Sequence, residues 1–269
     1  MNHPPQPYPD PERRRTVRAV LVTGASGGIG AAVARRFAAG GDRVALHYAT
    51  NPAGAEETRL SLSGSGHVLV SGDLGDADAA PQIVQAAVDA LGVIDVLVCN
   101  AAVAPSESNR HVIGETSYRD WTRVWRQMID VNLIGAANMA WAVADHLIKH
   151  AAPGAIVNVG SRGAFRGEPE YPAYAASKAG LHALGQSLAV ALAPHNISVT
   201  SIAPGFVATS RQLTKLEGSE GDNLRAQSPF GRVGTPEEIA SAVHWLASSE
   251  AMWCSGAILD ANGASYLRV

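Results

Sequence analysis

Cysteine is almost absent. Cys99 and Cys254 are the only two in 269 residues, too few and too far apart for a disulfide framework or a thiolate metal cluster, so no metal site is expected and a reducing cytoplasm fits. Lysine is nearly as scarce, with Lys149, Lys178 and Lys215 alone, and the formal net charge is −3. Nothing here makes a cationic face for nucleic acid, and the one basic run, Arg13-Arg14-Arg15, reads as solvated tail. No apolar run is long enough to span a bilayer, which excludes a membrane protein of the helical kind. Residues 1–15 are rich in proline and lack the apolar core of a secretion signal, so a disordered lead-in is expected there. Repeats and linkers are absent too, and 16–269 is expected to fold as one unit.

What the chain does have is alternation. Short apolar runs rich in β-branched residues at 17–23, 43–48, 67–71, 94–100, 155–160, 197–203 and 257–260 are separated by longer helical stretches. Such a rhythm predicts an α/β fold, a doubly wound parallel sheet of about seven strands with helices on both faces. Helix starts are marked by Asn51-Pro52 and by Thr235-Pro236-Glu237-Glu238. Two polar segments, 103–116 and 206–229, interrupt the rhythm after strand ends and are expected to be loops walling a substrate site.

Tyr174 and Lys178 lie four residues apart, hence one turn apart on one face of a helix. A cation beside a phenol stabilises the phenolate, so Lys178 is expected to lower the pKa of Tyr174 and fit it for acid–base work. The glycine-rich segment Gly24, Ser26, Gly27, Gly28, Ile29 and Gly30 joins the first strand to the first helix. Missing side chains and the free N–H groups of a helix start suit it to a pyrophosphate, as in a Rossmann-like fold.

Together these segments resemble the short-chain dehydrogenase/reductase family, in its single-domain branch, over essentially all of 16–269. The shared motifs are Thr23-Gly24-x-x-x-Gly28-x-Gly30, Asp73-Leu74 after the third strand, Asn100-Ala101-Ala102 after the fourth, and Tyr174-x-x-x-Lys178. Ala102 stands where the family usually has glycine. The resemblance implies that 16–269 is a single dinucleotide-binding and catalytic domain. It implies that Asp73 bonds the adenine amino group, that Asn100 to Ala102 line the cofactor, and that Ser161 bonds the substrate oxygen beside Tyr174. Asn132 would hold a water that extends a proton path from Lys178, which also holds the nicotinamide ribose. Pro204, Gly205, Val207 and Thr209 match the segment that meets the carboxamide and phosphates. The implied reaction moves a hydride between a nicotinamide dinucleotide and a small-molecule carbonyl or secondary alcohol.

The substrate stays open. Ala164, Phe165, Tyr171 and Phe206 are the expected pocket residues, with Tyr171 at the rim. Arg162, Arg166 and Arg211 flank the pocket and either stand in solvent or clamp a carboxylate. Overall the chain most resembles bacterial 3-oxoacyl carrier-protein reductases. Against a carrier partner, the two long helices end in Lys149-His150 and Ala193-Pro194-His195-Asn196, little basic surface for an acidic protein. A non-catalytic dinucleotide sensor is the reading from another class, and it gives no reason to keep Ser161, Tyr174, Lys178 and Asn132 together. NADP(H) is expected over NAD(H), because Tyr48 stands at the end of the second strand where an acid would bind the ribose, with Thr50 and Asn51 following. Tyr48→Asp is expected to reverse that preference. Helical segments at 136–148 and 179–193 carry apolar residues on more than one face, so a homotetramer is expected.

Overall fold

The computed structural model describes residues 17–210 and 216–268. The expected N-terminal tail and Arg211 lie outside the described residues. Seven strands form one parallel sheet in the order β3-β2-β1-β4-β5-β6-β7. They are β1 (Ala19–Val22), β2 (Arg43–Tyr48), β3 (Val68–Ser71), β4 (Val96–Cys99), β5 (Gly154–Val159), β6 (Ile197–Pro204) and β7 (Ile258–Ala261). Each falls within two residues of an expected run at either end.

Because both faces of the sheet are covered, successive side chains of one strand enter different cores. Leu21, Ala45, Leu97, Ile156 and Val199 pack on one side with Ile83, Met139, Leu147 and Leu181. Those belong to α3 (Ala79–Leu91), α5 (Ala136–Lys149) and α7 (Pro172–Leu192). On the other side Val20, Val22, Leu46, Val98, Val157 and Ile202 meet Val33, Phe37, Ile239 and Val243 from α1 (Gly28–Ala39) and α9 (Pro236–Leu246). Each fully buried Leu, Ile, Val or Phe contributes about 1.5–3 kcal/mol. This two-sided demand is why the strands read as continuous apolar runs.

The expected caps form. Asn51 accepts from Gly54 N at 3.0 Å and opens α2 (Pro52–Leu60), while Thr235 and Glu238 make a reciprocal capping box ahead of α9. Strand order reverses between β1 and β4, which opens a crevice at their C-terminal ends.

Two segments differ from expectation. Part of 206–229 is helical, as α8 (Gly218–Ala226), whose sequence GSEGDNLRA has two glycines and no apolar stripe to announce it. The helix expected around Asn132 is α4 (Tyr118–Ile129) followed by a π-helical stretch, Asp130–Gly135, before α5. Between β5 and α7 lies the short α6 (Gly163–Arg166).

Candidate active site

A cleft of about 1060 Å3 runs along the C-terminal edge of the sheet at that reversal. The phosphate loop forms one end. Gly24 and Gly28 take φ of +67° and +54° there, a conformation that strains any other residue. A Cβ at Gly30 would lie 2.2 Å from the Gly24 carbonyl oxygen, and one at Gly24 would lie 2.8 Å from the Ala101 Cα. Gly27 is different, since a Cβ there would meet nothing within 4 Å. It precedes α1 without any side-chain cap, so the first-turn N–H groups of the helix face open space with no intrahelical partner. That space and those donors fit a dinucleotide pyrophosphate.

Asn100 and Thr23 fasten the loop to β4. The Asn100 amide donates to the Thr23 and Gly24 carbonyls at 2.9 and 3.1 Å, and Thr23 Oγ1 accepts from the N–H groups of Asn100 and Ala101. Asp73 lines the cleft with Leu74, its Oδ1 accepting from Gly75 N at 2.9 Å. At the end of β2 the wall is His47, Ala49, Thr50 and Asn51; Tyr48 is not among the lining residues. His47 escaped the sequence reading. Its Nδ1 accepts from Gly24 N at 3.3 Å and its Nε2 reaches the Gly72 carbonyl at 3.0 Å, so it ties the loop to the end of β3. Burial holds its pKa below the usual histidine range.

At the other end stand Ser161, Tyr174 and Lys178, brought together by the end of β5 and one face of α7. The Ser161 hydroxyl accepts from Gly163 N at 3.0 Å and lies where it lowers the pKa of the Tyr174 phenol. Lys178 Nζ donates to the Val159 carbonyl at 2.8 Å and lies 5.9 Å from the centre of the Tyr174 ring. Burial dominates both groups, pushing Tyr174 up to about 12, against a smaller lowering by Ser161, and Lys178 down to about 8. The expectation of a phenol below its ordinary value is not met, because burial outweighs the lowering influences. Held toward β5, the ammonium does not offset the desolvation of Tyr174.

The Asn132 side chain bonds on both sides. Its oxygen accepts from Val103 N at 2.7 Å, and its nitrogen donates to the Val103 carbonyl at 3.2 Å and to Ser177 Oγ at 3.1 Å. Ser177 in turn donates to the Tyr174 carbonyl at 2.8 Å. The amide therefore braces the loop after β4 against the helix that carries Tyr174, and the π-helical turn presents it there.

Pro204, Gly205, Phe206, Val207 and Thr209 line the cleft, and a Cβ at Gly28 would meet the Thr209 methyl at 3.2 Å. The segment after β6 thus closes over the phosphate loop. Of the expected substrate residues, Tyr171 and Phe206 line the cleft, whereas Ala164 and Phe165 do not. Phe165 stacks on His182 at 5.1 Å between ring centres, with Arg268 over its ring at 4.6 Å. His111 had no signal in the sequence, whereas Arg162 was expected to flank the pocket. His111 accepts from Ala173 N at 3.0 Å and so satisfies an N–H at the start of α7. Arg162, next to Ser161, is buried in the cleft wall.

A crevice with a phosphate-binding helix start at one end and a serine–phenol–ammonium cluster at the other defines a nicotinamide-dependent oxidoreductase. A family model described as enoyl-(acyl carrier protein) reductase matches residues 24–263, and the chain belongs to the short-chain dehydrogenase/reductase family. It is 35% identical over 254 residues to 3beta-hydroxysteroid dehydrogenase 1 of Eggerthella lenta, covering 93% of this chain and 94% of the relative. The crystal structure of a 3-ketoacyl-(acyl-carrier-protein) reductase from Brucella melitensis, complexed with NADH, superimposes with a TM-score of 0.82 at 28% identity, covering 93% and 98% of the two chains. A proposed 2-deoxy-d-gluconate 3-dehydrogenase from Agrobacterium tumefaciens with bound NADP gives 0.78 at 30% identity, over 92% and 96%.

Proposed function

We propose that this enzyme moves a hydride between NADP(H) and a small-molecule ketone or secondary alcohol, with Tyr174 as the acid and base. The observation that carries the reading is the single cleft lined by both the glycine loop and the Ser161–Tyr174–Lys178 cluster. A bound nicotinamide dinucleotide would supply or accept the hydride. Its pyrophosphate would rest on Gly27 and the start of α1, its adenosine beside Asp73, its ribose near Lys178. In the reducing direction Ser161 and Tyr174 hydrogen-bond the substrate oxygen as negative charge builds on it, and Tyr174 gives up its proton. A phenol near 12 is fully protonated at neutral pH, as that step requires. The protonated Lys178 then stabilises the phenolate left behind, while Asn132 holds the backbone of α7 in register.

Relatives named for steroids, sugar acids and acyl thioesters leave the substrate to this chain's own surface. Lys149, the lysine at the end of α5, is already paired with Asp145 at 2.7 Å, which favours a free small molecule over an acidic carrier. The preference for NADP(H) is supported at the end of β2, where the wall is Ala49, Thr50 and Asn51 and offers hydroxyl and amide groups with no acid. Because the Tyr48 side chain is outside that wall, Ala49→Asp becomes the substitution expected to favour NADH. A homotetramer is supported by Ile134, Trp141 and Ile148, spaced by seven residues and exposed by 45%, 62% and 39%. The free thiols suit a cytoplasmic setting. Comparing kcat/KM for NADPH and NADH on one ketone tests the cofactor reading, with about ten- to hundred-fold in favour of NADPH expected and a preference for NADH contradicting it.

A further inference from the structure

Arg162 is 8% exposed, yet its guanidinium bonds only to neutral oxygens, Ser265 Oγ and Gln227 Oε1. Among the described residues no carboxylate comes within ion-pair distance of it. A buried cation without a counter-ion is costly, and a guanidinium has five N–H donors, more than these two contacts use. Arg162 lines the main cleft and also a side recess of about 280 Å3, and Phe206, Leu224 and Gln227 are shared by the same two cavities. It follows Ser161 in the chain, but its guanidinium reaches away from that hydroxyl to Gln227 and Ser265 beside the side recess.

The surrounding charges are mixed. Arg166, exposed, donates to the same Gln227 oxygen at 3.3 Å and adds a second positive charge. Glu168 faces Arg162 electrostatically but lies against the backbone of Gly163, where an added Cβ would be 2.7 Å from its Oε1. Glu220 also lines the cleft. Arg232 and Glu238 line the side recess as an ion pair at 2.6 Å, so three cations face three acids, a balance that suits a singly charged ligand group better than a phosphate dianion.

We propose that the substrate carries a carboxylate remote from its reacting carbon, and that Arg162 binds it through the free edge of its guanidinium at the mouth of the side recess. This rests on the oxidoreductase reading for the location of the reacting group, but recognition of the carboxylate does not depend on turnover. Phe206, Leu224 and Tyr171 supply the apolar wall between the two ends of such a substrate. A charge-assisted, bidentate contact of this kind separates an acid from its neutral isostere by about ten- to hundred-fold.

The test is calorimetric titration of benzoate and benzamide into the full chain saturated with oxidised NADP. Benzoate is expected to bind at least ten times more tightly than benzamide, Arg162→Gln to abolish the difference, and Arg162→Lys to keep only part of it. Equal affinities, absence of benzoate binding, or a preference retained in Arg162→Gln would overturn the proposal and leave Arg162 as a structural tie between Gln227 and Ser265. The wild-type comparison decides even if a variant does not fold. Failure to turn over any ketone or alcohol would instead overturn the oxidoreductase reading.

Discussion

The Lys178 ammonium points at the Val159 carbonyl, 2.8 Å away, and stands 5.9 Å from the centre of the Tyr174 ring. The pair therefore shares a charge requirement without touching. With the phenol near 12 and the ammonium near 8, both groups are protonated at neutral pH, and the first to lose its proton as pH rises is Lys178.

The rate of carbonyl reduction should follow that order. It should be level below neutrality and fall as pH passes through about 8, because the cation that receives the developing phenolate is then lost. Lys178→Arg should move the fall to higher pH, and a profile unchanged by that substitution would assign it to another group.

Much of this arrangement was legible in the sequence. Strands buried on both faces announce themselves as apolar runs, and Tyr174, Lys178, Ser161 and the glycine loop are local motifs whose spacing carries their geometry. What was not legible depends on partners distant in the chain. Arg162 meets Gln227 and Ser265, 65 and 103 residues away, and His111 meets Ala173, 62 away. Tyr48 and Phe165 were assigned to the cleft by position along the chain, but the structure directs Phe165 toward His182 and Arg268. The strength of burial around Tyr174 was equally hidden, because desolvation is set by the packed assembly and not by one helix face.

Glycines of the phosphate loop should divide into two kinds. Gly27→Ala, with no neighbour within 4 Å of the new methyl and extended backbone at φ 168°, should leave thermal stability unchanged while weakening cofactor binding, because it fills space where phosphate would rest. Gly30→Ala would press on the Gly24 carbonyl at 2.2 Å and should cost about 1–3 kcal/mol of stability. Fluorescence titration of NADPH and thermal melts separate the two; equal losses in both readouts would remove the distinction.

His182 lies four residues beyond Lys178, buried beneath the end of β5, where a Cβ at Gly160 would come within 2.1 Å of its ring. Burial holds its pKa down to about 4, from the ordinary histidine value of about 6.5. The unfolded chain therefore binds the extra proton more readily, and stability falls as pH drops from 6.5 through 4, by about 3 kcal/mol in all. Urea unfolding at several pH values should show this loss, and His182→Phe should flatten it. A slope that persists in the variant would place the titration elsewhere.

The most direct measurement is a single turnover of a ketone by Tyr174→Phe with bound NADPH, beside the dissociation constant for NADPH in the same variant. The Tyr174 phenol supplies the proton and no main cofactor contact in this account. Hydride transfer should therefore fall by at least about a hundredfold while the dissociation constant stays within a few-fold of wild type. A variant that retains a tenth or more of the wild-type rate constant for the chemical step would contradict the assignment of Tyr174 as the acid.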